Sequence, residues 1–281
     1  MGFGSMRLTV DPDPARAIRT LRTAVELGVN HIDTAAFYFS PGGVLDVGTG
    51  ATRYATELIR RALSPYDERL LIATKVGPGI LPSGEWGEAR TPAELRYQVE
   101  ENLRRLGVER LELVNLRVFR GADSIGERFA ALEAMREEGL IGHLGLSAVR
   151  PGQLAEAEAI APVVCVQNSF ALDNRRSHEL VGICGERGIA FVPFFAIAGD
   201  GREGGPGAGQ AGAAVAEVAR RHGVTGHQVR LAWTLHQGAH VLAIPGTGSV
   251  AHLRENVAAG AITLSADDLA AIDGEESMRR G

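Results

Sequence analysis

Val25–Asp33, reading VELGVNHID, closes an amphipathic helix, turns on Gly28 and enters a β-branched run. The same punctuation returns as RRLGVERLELVNL at Arg104–Leu116, REEGLIGHLGLS at Arg136–Ser147 and GERGIAFVPFF at Gly185–Phe195. Glycine just past a helix takes the left-handed C-cap conformation without a Cβ penalty, so each mark reads as helix end and strand start. Working outward, Pro14–Leu27 is the helix before the first mark, with Ile18, Leu21 and Val25 on one face. Thr91–Leu106 is the best-specified helix: Thr91 as N-cap, Pro92 in the first turn and Glu94 completing a capping box. Its apolar residues Leu95, Val99, Leu103 and Leu106 share a face.

The strands expected on this basis are Phe3–Leu8, His31–Thr34, Leu70–Lys75, Leu111–Leu116, His143–Ser147, Val163–Gln167, Ile189–Phe194 and Val241–Ile244. Several are apolar runs without strict alternation, as both faces of a covered parallel sheet require. Strands alternating with helices to the end of the chain, with no break in composition, predict a single domain over residues 1–281. The fold class is α/β, a closed (β/α)8 (TIM) barrel, with an open doubly wound sheet as the alternative.

Composition narrows the function. The chain has 281 residues, 45% hydrophobic, with a net charge of −5, so it supports a large core and presents no basic field for nucleic acid or an anionic membrane. No apolar stretch approaches the roughly 18 residues of a membrane span, and MGFGSMRL lacks a signal-peptide pattern. Its two cysteines, Cys165 and Cys184, form no disulfide framework and no metal spacing, and the eight histidines show none either. The expectation is a soluble cytoplasmic protein without a metal.

Two long loops interrupt the rhythm. Phe39–Thr52 follows the second strand, and Ala196–Gly212, with seven glycines in 17 residues, follows the seventh. In a barrel both fall on the C-terminal face, where active sites are built, so a functional role outweighs that of a plain linker. Gly207, Gly209 and Gly212 spell G-x-G-x-x-G, but the preceding strand ends too early and no acidic residue follows at the right distance for a dinucleotide fingerprint. What remains is a pliable loop at a helix N-terminus, able to fold over a phosphate.

HIDTAAFY at His31–Tyr38 carries the chemistry. Asp33 ends an apolar strand, Tyr38 follows at the loop mouth, and Lys75 ends the next strand in LLIATKVG. Singly, each has a structural explanation, a loop cap or a solvent-reaching amine. Together they make a proton donor: Lys75 paired with Asp33 stays cationic, and a cation beside Tyr38 lowers the phenol's pKa from about 10 toward working pH.

With these residues in place, the chain resembles the aldo-keto reductases over nearly its whole length. The matches are GFGSMRL, GVNHIDTAAFY, ATKVG, GHLGLS, VCVQNSF and IPGTGSVAHLREN. The resemblance implies a (β/α)8 barrel that binds NADP(H), NAD(H) not excluded, and reduces an aldehyde or ketone. It implies Tyr38 as general acid, with Lys75 and Asp33 as its tuning pair. Ser5 in the first-strand match, and Ser147 and Gln167 at positions that hold the nicotinamide carboxamide, become cofactor residues. Phe194 stands where an aromatic ring stacks on the nicotinamide. Thr247, His252, Glu255 and Asn256 occupy the adenosine phosphate and adenine positions.

Departures from the family pattern are equally specific. Arg117, in LELVNLRVF, stands where the family usually has a catalytic His, and implies a permanent cation that steadies a developing oxyanion. Ala148 replaces the Asn after the serine. Gly246 and His252 replace the Lys and Arg of the 2′-phosphate site, which weakens the expected preference for NADP(H). VNLRV with GTGSVAHLREN resembles a bacterial subgroup that includes pyridoxal reductases, implying an aromatic aldehyde as substrate, although the loop after Tyr38 is longer than in that subgroup. The chain starts at its first strand, without the hairpin the family uses to plug the barrel bottom, so either a truncated start or a differently closed floor is expected. Two other functions fit the same residues: a Schiff-base lyase using Lys75 as nucleophile, and a redox-sensing module that holds cofactor with little turnover.

Overall fold

The computed structural model describes residues 1–119, 121, 124–197 and 212–280, with side chains described to 276. Seven parallel strands follow one another in chain order around a sheet: β1 (Phe3–Gly4), β2 (His31–Asp33), β3 (Leu71–Val76), β4 (Leu111–Arg117), β5 (Ile141–Ser147), β6 (Val163–Gln167) and β7 (Ala190–Phe191). The eighth position is taken by residues 240–244, too irregular to count as a strand. Phe191 N–H donates to His240 O at 2.9 Å and Leu242 N–H to Phe191 O at 3.0 Å, while on the opposite side Gly2 N–H donates to Ala243 O at 2.9 Å. This segment thereby bonds to both β7 and β1, and the sheet closes into a (β/α)8 barrel rather than staying open.

Closure depends on two glycines. A Cβ on Gly4 would stand 2.7 Å from Ile244 O, and one on Gly246 only 2.5 Å from Gly4 O. The chain crosses itself so closely here that no side chain fits.

The helices on the outside are α1 (Pro14–Glu26), α2 (Ala55–Leu63), α3 (Pro92–Leu106), α4 (Gly126–Glu137), α5 (Pro151–Glu158), α6 (His178–Arg187), α7 (Ala213–His222), α8 (Gly226–Leu235), α9 (Val250–Ala258) and α10 (Ala266–Arg280). The capping box at Thr91 and Glu94 forms as expected, and Gly28, Gly107, Gly139 and Gly188 all take positive φ. Outward strand residues such as Phe3, Ile32, Val114, Leu146, Val166 and Phe191 pack against helices in the main core. Alternate residues point inward: Ala73, Leu113, Cys165, Val192 and Ile244 form a separate apolar plug inside the barrel. Above that plug, the inward positions turn polar.

Strand lengths are the main correction. The first strand stops at Gly4 instead of Leu8, because Met6–Thr9 coil into a 3₁₀ turn that buries Leu8 and lets Thr9 Oγ1 meet Ser40 Oγ at 2.9 Å. The seventh is cut to Ala190–Phe191, since Pro193 cannot donate to a ladder and Phe194 instead bridges to Ser169. The loop after β2 is not a plain linker either. Phe39–Ser40 and Arg53–Tyr54 pair antiparallel across it, and Arg53 ties it down by donating to the carbonyls of Thr9, Thr49 and Ala51. Most of the glycine-rich stretch at 196–212, with Gly207 and Gly209, lies outside the described residues. Among the described residues no helix is long and apolar enough to cross a membrane.

His31 enters the barrel at the start of β2, and burial pushes its imidazole pKa down to about 4. A buried neutral histidine takes up its proton later than an unfolded one. Stability is therefore complete above about pH 6.5 and falls as pH drops through the window toward 4, by about 3 kcal/mol in all. Urea denaturation at several pH values should show this slope in the wild type, and a flatter one in His31→Gln.

Candidate active site

Because inward positions on parallel strands recur every second residue, the last inward residue of each strand reaches the same rim. Asp33 ends β2, Lys75 stands at the end of β3, and Arg117, Ser147 and Gln167 end β4, β5 and β6. The structure brings all five together, with Arg117 paired in register to Ser147 and Ser147 to Gln167.

Lys75, 1% exposed, donates from Nζ to Asp33 Oδ1 at 2.6 Å and to the Thr34 carbonyl at 3.1 Å. Burial pulls its pKa down, but the Asp33 charge and hydrogen bond, with help from Tyr38, more than offset that, and the ammonium ends above its ordinary value. Its Nζ lies 4.7 Å from the centre of the Tyr38 ring. Lys75 is thus a fixed cation, not a free amine.

Tyr38 is 8% exposed and packs edge-on to Phe37, with ring centres 5.1 Å apart. Here the structure corrects the sequence expectation. Burial raises the phenol's pKa by more than Lys75 and Arg117 lower it, so the net direction is up from 10.0. Desolvation dominates because the phenolate would be formed in a nearly dry pocket. The tyrosine therefore rests protonated, the state an acid needs before it donates.

Arg117 is half-buried. Its Nη1 reaches Ser147 Oγ at 3.5 Å and its guanidinium carbon lies 5.2 Å from the Phe194 ring centre, within cation–π range. The Phe194 ring is partly exposed, leaving apolar surface for a planar group. Ser5, fully buried, donates its backbone N–H to Asp33 O at 2.9 Å, while its Oγ finds no partner. Gln167 donates Nε2 to Asp33 Oδ1 at 2.7 Å, and its Oε1 is likewise buried and unpartnered.

The 246–256 segment lies past the closing strand position. Thr247 Oγ1 accepts from Ser249 N–H at 3.1 Å, and Ser249 caps α9. His252, Glu255 and Asn256, spaced i, i+3 and i+4, sit on one side of that helix, His252 and Glu255 exposed and Asn256 buried. None of these four touches the Asp33–Lys75 centre. Among the described residues no cluster of His, Cys, Asp or Glu is arranged to hold a metal. A cavity of about 380 Å³ lined by Pro12, Pro14, Thr49–Tyr54 and Arg61 holds none of the predicted site residues.

The Aldo/keto reductase family model matches residues 1–276. The chain belongs to the aldo-keto reductase family. It is 40% identical over 286 residues to pyridoxine 4-dehydrogenase of Escherichia coli, covering 98% of this chain and 93% of the relative. It is 36% identical over 281 residues to an uncharacterized oxidoreductase of Schizosaccharomyces pombe, covering 98% and 86%. Among solved structures, the thermostable aldo-keto reductase Tm1743 in complex with the inhibitor epalrestat superimposes with a TM-score of 0.79 at 28% identity, covering 97% of this chain and 93% of that one. An aldo/keto reductase from Klebsiella pneumoniae in complex with NADP and acetate gives 0.79 at 25%, covering 97% and 89%.

Two features of this aldo-keto reductase escaped the sequence reading. Asn115, two residues before Arg117, is 1% exposed with both side-chain polar atoms unpartnered, and it fills the space a Cβ on Gly145 would need. An asparagine inside VNLRV was the available signal. The other is Trp86, 44% exposed on a hairpin after β3, whose ring meets Phe37 at 6.4 Å and Phe39 at 6.0 Å. The isolated Trp in SGEWGE gives no periodic signal.

Ala148 takes φ 60°, the left-handed region that Asn tolerates and alanine does not favour, at a cost of about 1 kcal/mol. Ala148→Gly should raise the unfolding free energy by about 0.5–1 kcal/mol in chemical denaturation. An unchanged or lower value would remove the strain argument.

Proposed function

We propose that this aldo-keto reductase is a single-domain, NADPH-dependent enzyme that reduces an aldehyde or ketone to its alcohol, with Tyr38 as proton donor. The observation that carries it is the buried phenol beside an ammonium that is itself locked to Asp33 at 2.6 Å. The orphaned acceptor of Gln167 and the hydroxyl of Ser5 supply unmet hydrogen-bonding capacity of the kind a carboxamide satisfies, and Phe194 offers a flat apolar face. Bound there, the dinucleotide would supply the hydride.

The chain's own groups handle the proton. Tyr38 holds it at rest and gives it to the oxygen that gains charge as the carbonyl is reduced. Lys75, kept cationic by Asp33, then stabilises the phenolate left behind, and Arg117, whose charge already acts on that phenol, adds to it. A positioned acid of this kind contributes about 10²–10⁴-fold. A Schiff-base lyase would need Lys75 as a neutral amine, which the Asp33 ion pair opposes.

Similarity to pyridoxine 4-dehydrogenase, together with the exposed ring of Trp86 against Phe37 beside Tyr38, favours a planar aromatic aldehyde such as pyridoxal. With Gly246 and His252 in place of permanent cations, the 2′-phosphate would rest on Thr247, His252 and backbone N–H groups at the start of α9, alongside Glu255 and Asn256, so the margin of NADPH over NADH is narrow. Free, buried Cys165 and Cys184 suit a reducing cytoplasm.

NADPH oxidation with pyridoxal should fall at least about 10²-fold in Tyr38→Phe, while NADPH still binds with unchanged fluorescence quenching. Turnover at the wild-type rate in that variant would end the assignment.

A further inference from the structure

Gln167 and Asp33 are 134 positions apart in the chain, yet Gln167 Nε2 lies 2.7 Å from Asp33 Oδ1, the same oxygen that receives Lys75 Nζ at 2.6 Å. Both side chains are almost dry. A primary amide has one donor end and one acceptor end. The donor end is committed to the carboxylate, and reversing the amide would set a carbonyl oxygen against it. The acceptor end, Oε1, is therefore the one left over, buried and without a partner.

We propose that Gln167, the residue that the resemblance already assigns to the nicotinamide carboxamide, is in addition a positioning residue for the proton-donor chain: its Nε2 end fixes Asp33 against Lys75 while its Oε1 end takes an N–H of that carboxamide. This rests on the NADPH-dependent function proposed above. Filling Oε1 polarises the amide and strengthens the N–H that it donates to Asp33, and by linkage an intact Asp33 contact favours carboxamide binding by the same factor. The acid is thus braced when the cofactor is seated.

The groups around Asp33 are Lys75 from β3, Arg117 from β4, Cys165 from β6, Tyr38 from the loop mouth and His31 on its own strand. Near pH 7 only the first two carry charge among these neighbours, since burial lowers His31 and raises Cys165 and Tyr38. A glutamate at 167 would add a second carboxylate to this set, and like charges sharing a site raise a pKa.

The test is equilibrium binding by calorimetry, with NADP⁺ and with 2′-phospho-ADP-ribose, which is the same ligand without the nicotinamide. Asp33→Asn and Gln167→Met should each weaken NADP⁺ binding at least about fivefold, and the double variant no more than about twofold beyond the weaker single, a coupling of the size allostery usually shows. Neither change should move 2′-phospho-ADP-ribose binding. If Asp33→Asn does not fold, Gln167→Glu decides alone. It should bind NADP⁺ like the wild type where its carboxyl is protonated and able to donate to Asp33, then weaken as pH rises, relative to the wild type at each pH. Additive effects, equal losses with both ligands, or a Gln167→Glu affinity that tracks the wild type would overturn the inference. A wild type that binds neither ligand would instead remove the NADPH reading.

Discussion

An ammonium and a carboxylate in contact inside a barrel, with almost no water, are the constraint around which this protein is arranged. Either charge alone in that place would cost several kcal/mol, and only their pairing and further hydrogen bonds make the burial tolerable. Asp33 Oδ1 accepts from both Lys75 and Gln167, and Lys75 donates onward to the Thr34 carbonyl. Each partner comes from a different part of the barrel. The pair can exist only if β2, β3 and β6 hold their registers, so the site is a consequence of the closed sheet rather than an addition to it.

The same burial that makes the pair expensive makes it useful. A phenol in a dry pocket resists ionisation, and the desolvation that lifts Tyr38 also strengthens the pull of Lys75 on the phenolate once it forms. In the proposed reduction the acid is therefore loaded at rest and stabilised after discharge. Asn115, buried beneath the rim with both polar ends unmet, is further evidence that polarity here is not kept for fold stability alone.

Much of this was legible in the sequence because it rests on periodicity. Glycine C-caps marked the strand starts, the Thr91 and Glu94 box marked α3, the strand-end positions of Asp33 and Lys75 put both at one rim, and the family resemblance supplied Arg117. The closing segment was foreseen in position but not in form, since its bonds to Gly2 and Phe191 depend on how β1 and β7 meet. The Tyr38 shift, expected downward from its cationic neighbour, runs upward in the structure. Sequence gives the neighbouring cation, but desolvation depends on the walls around the ring, including Phe37 and Ala55. The Gln167–Asp33 contact was out of reach for the same reason, as two residues so distant in the chain share no local pattern.

The central claim is that Lys75 is a permanently charged member of an ion pair, and the most direct measurement is the titration of its side chain by NMR of the Cε and Nζ nuclei, assigned with Lys75→Met. The account predicts a midpoint above the ordinary lysine value of about 10.4, with the ammonium intact across the whole neutral range. A midpoint below that value, with a neutral amine at pH 7, would contradict it and hand Lys75 to carbonyl-addition chemistry instead.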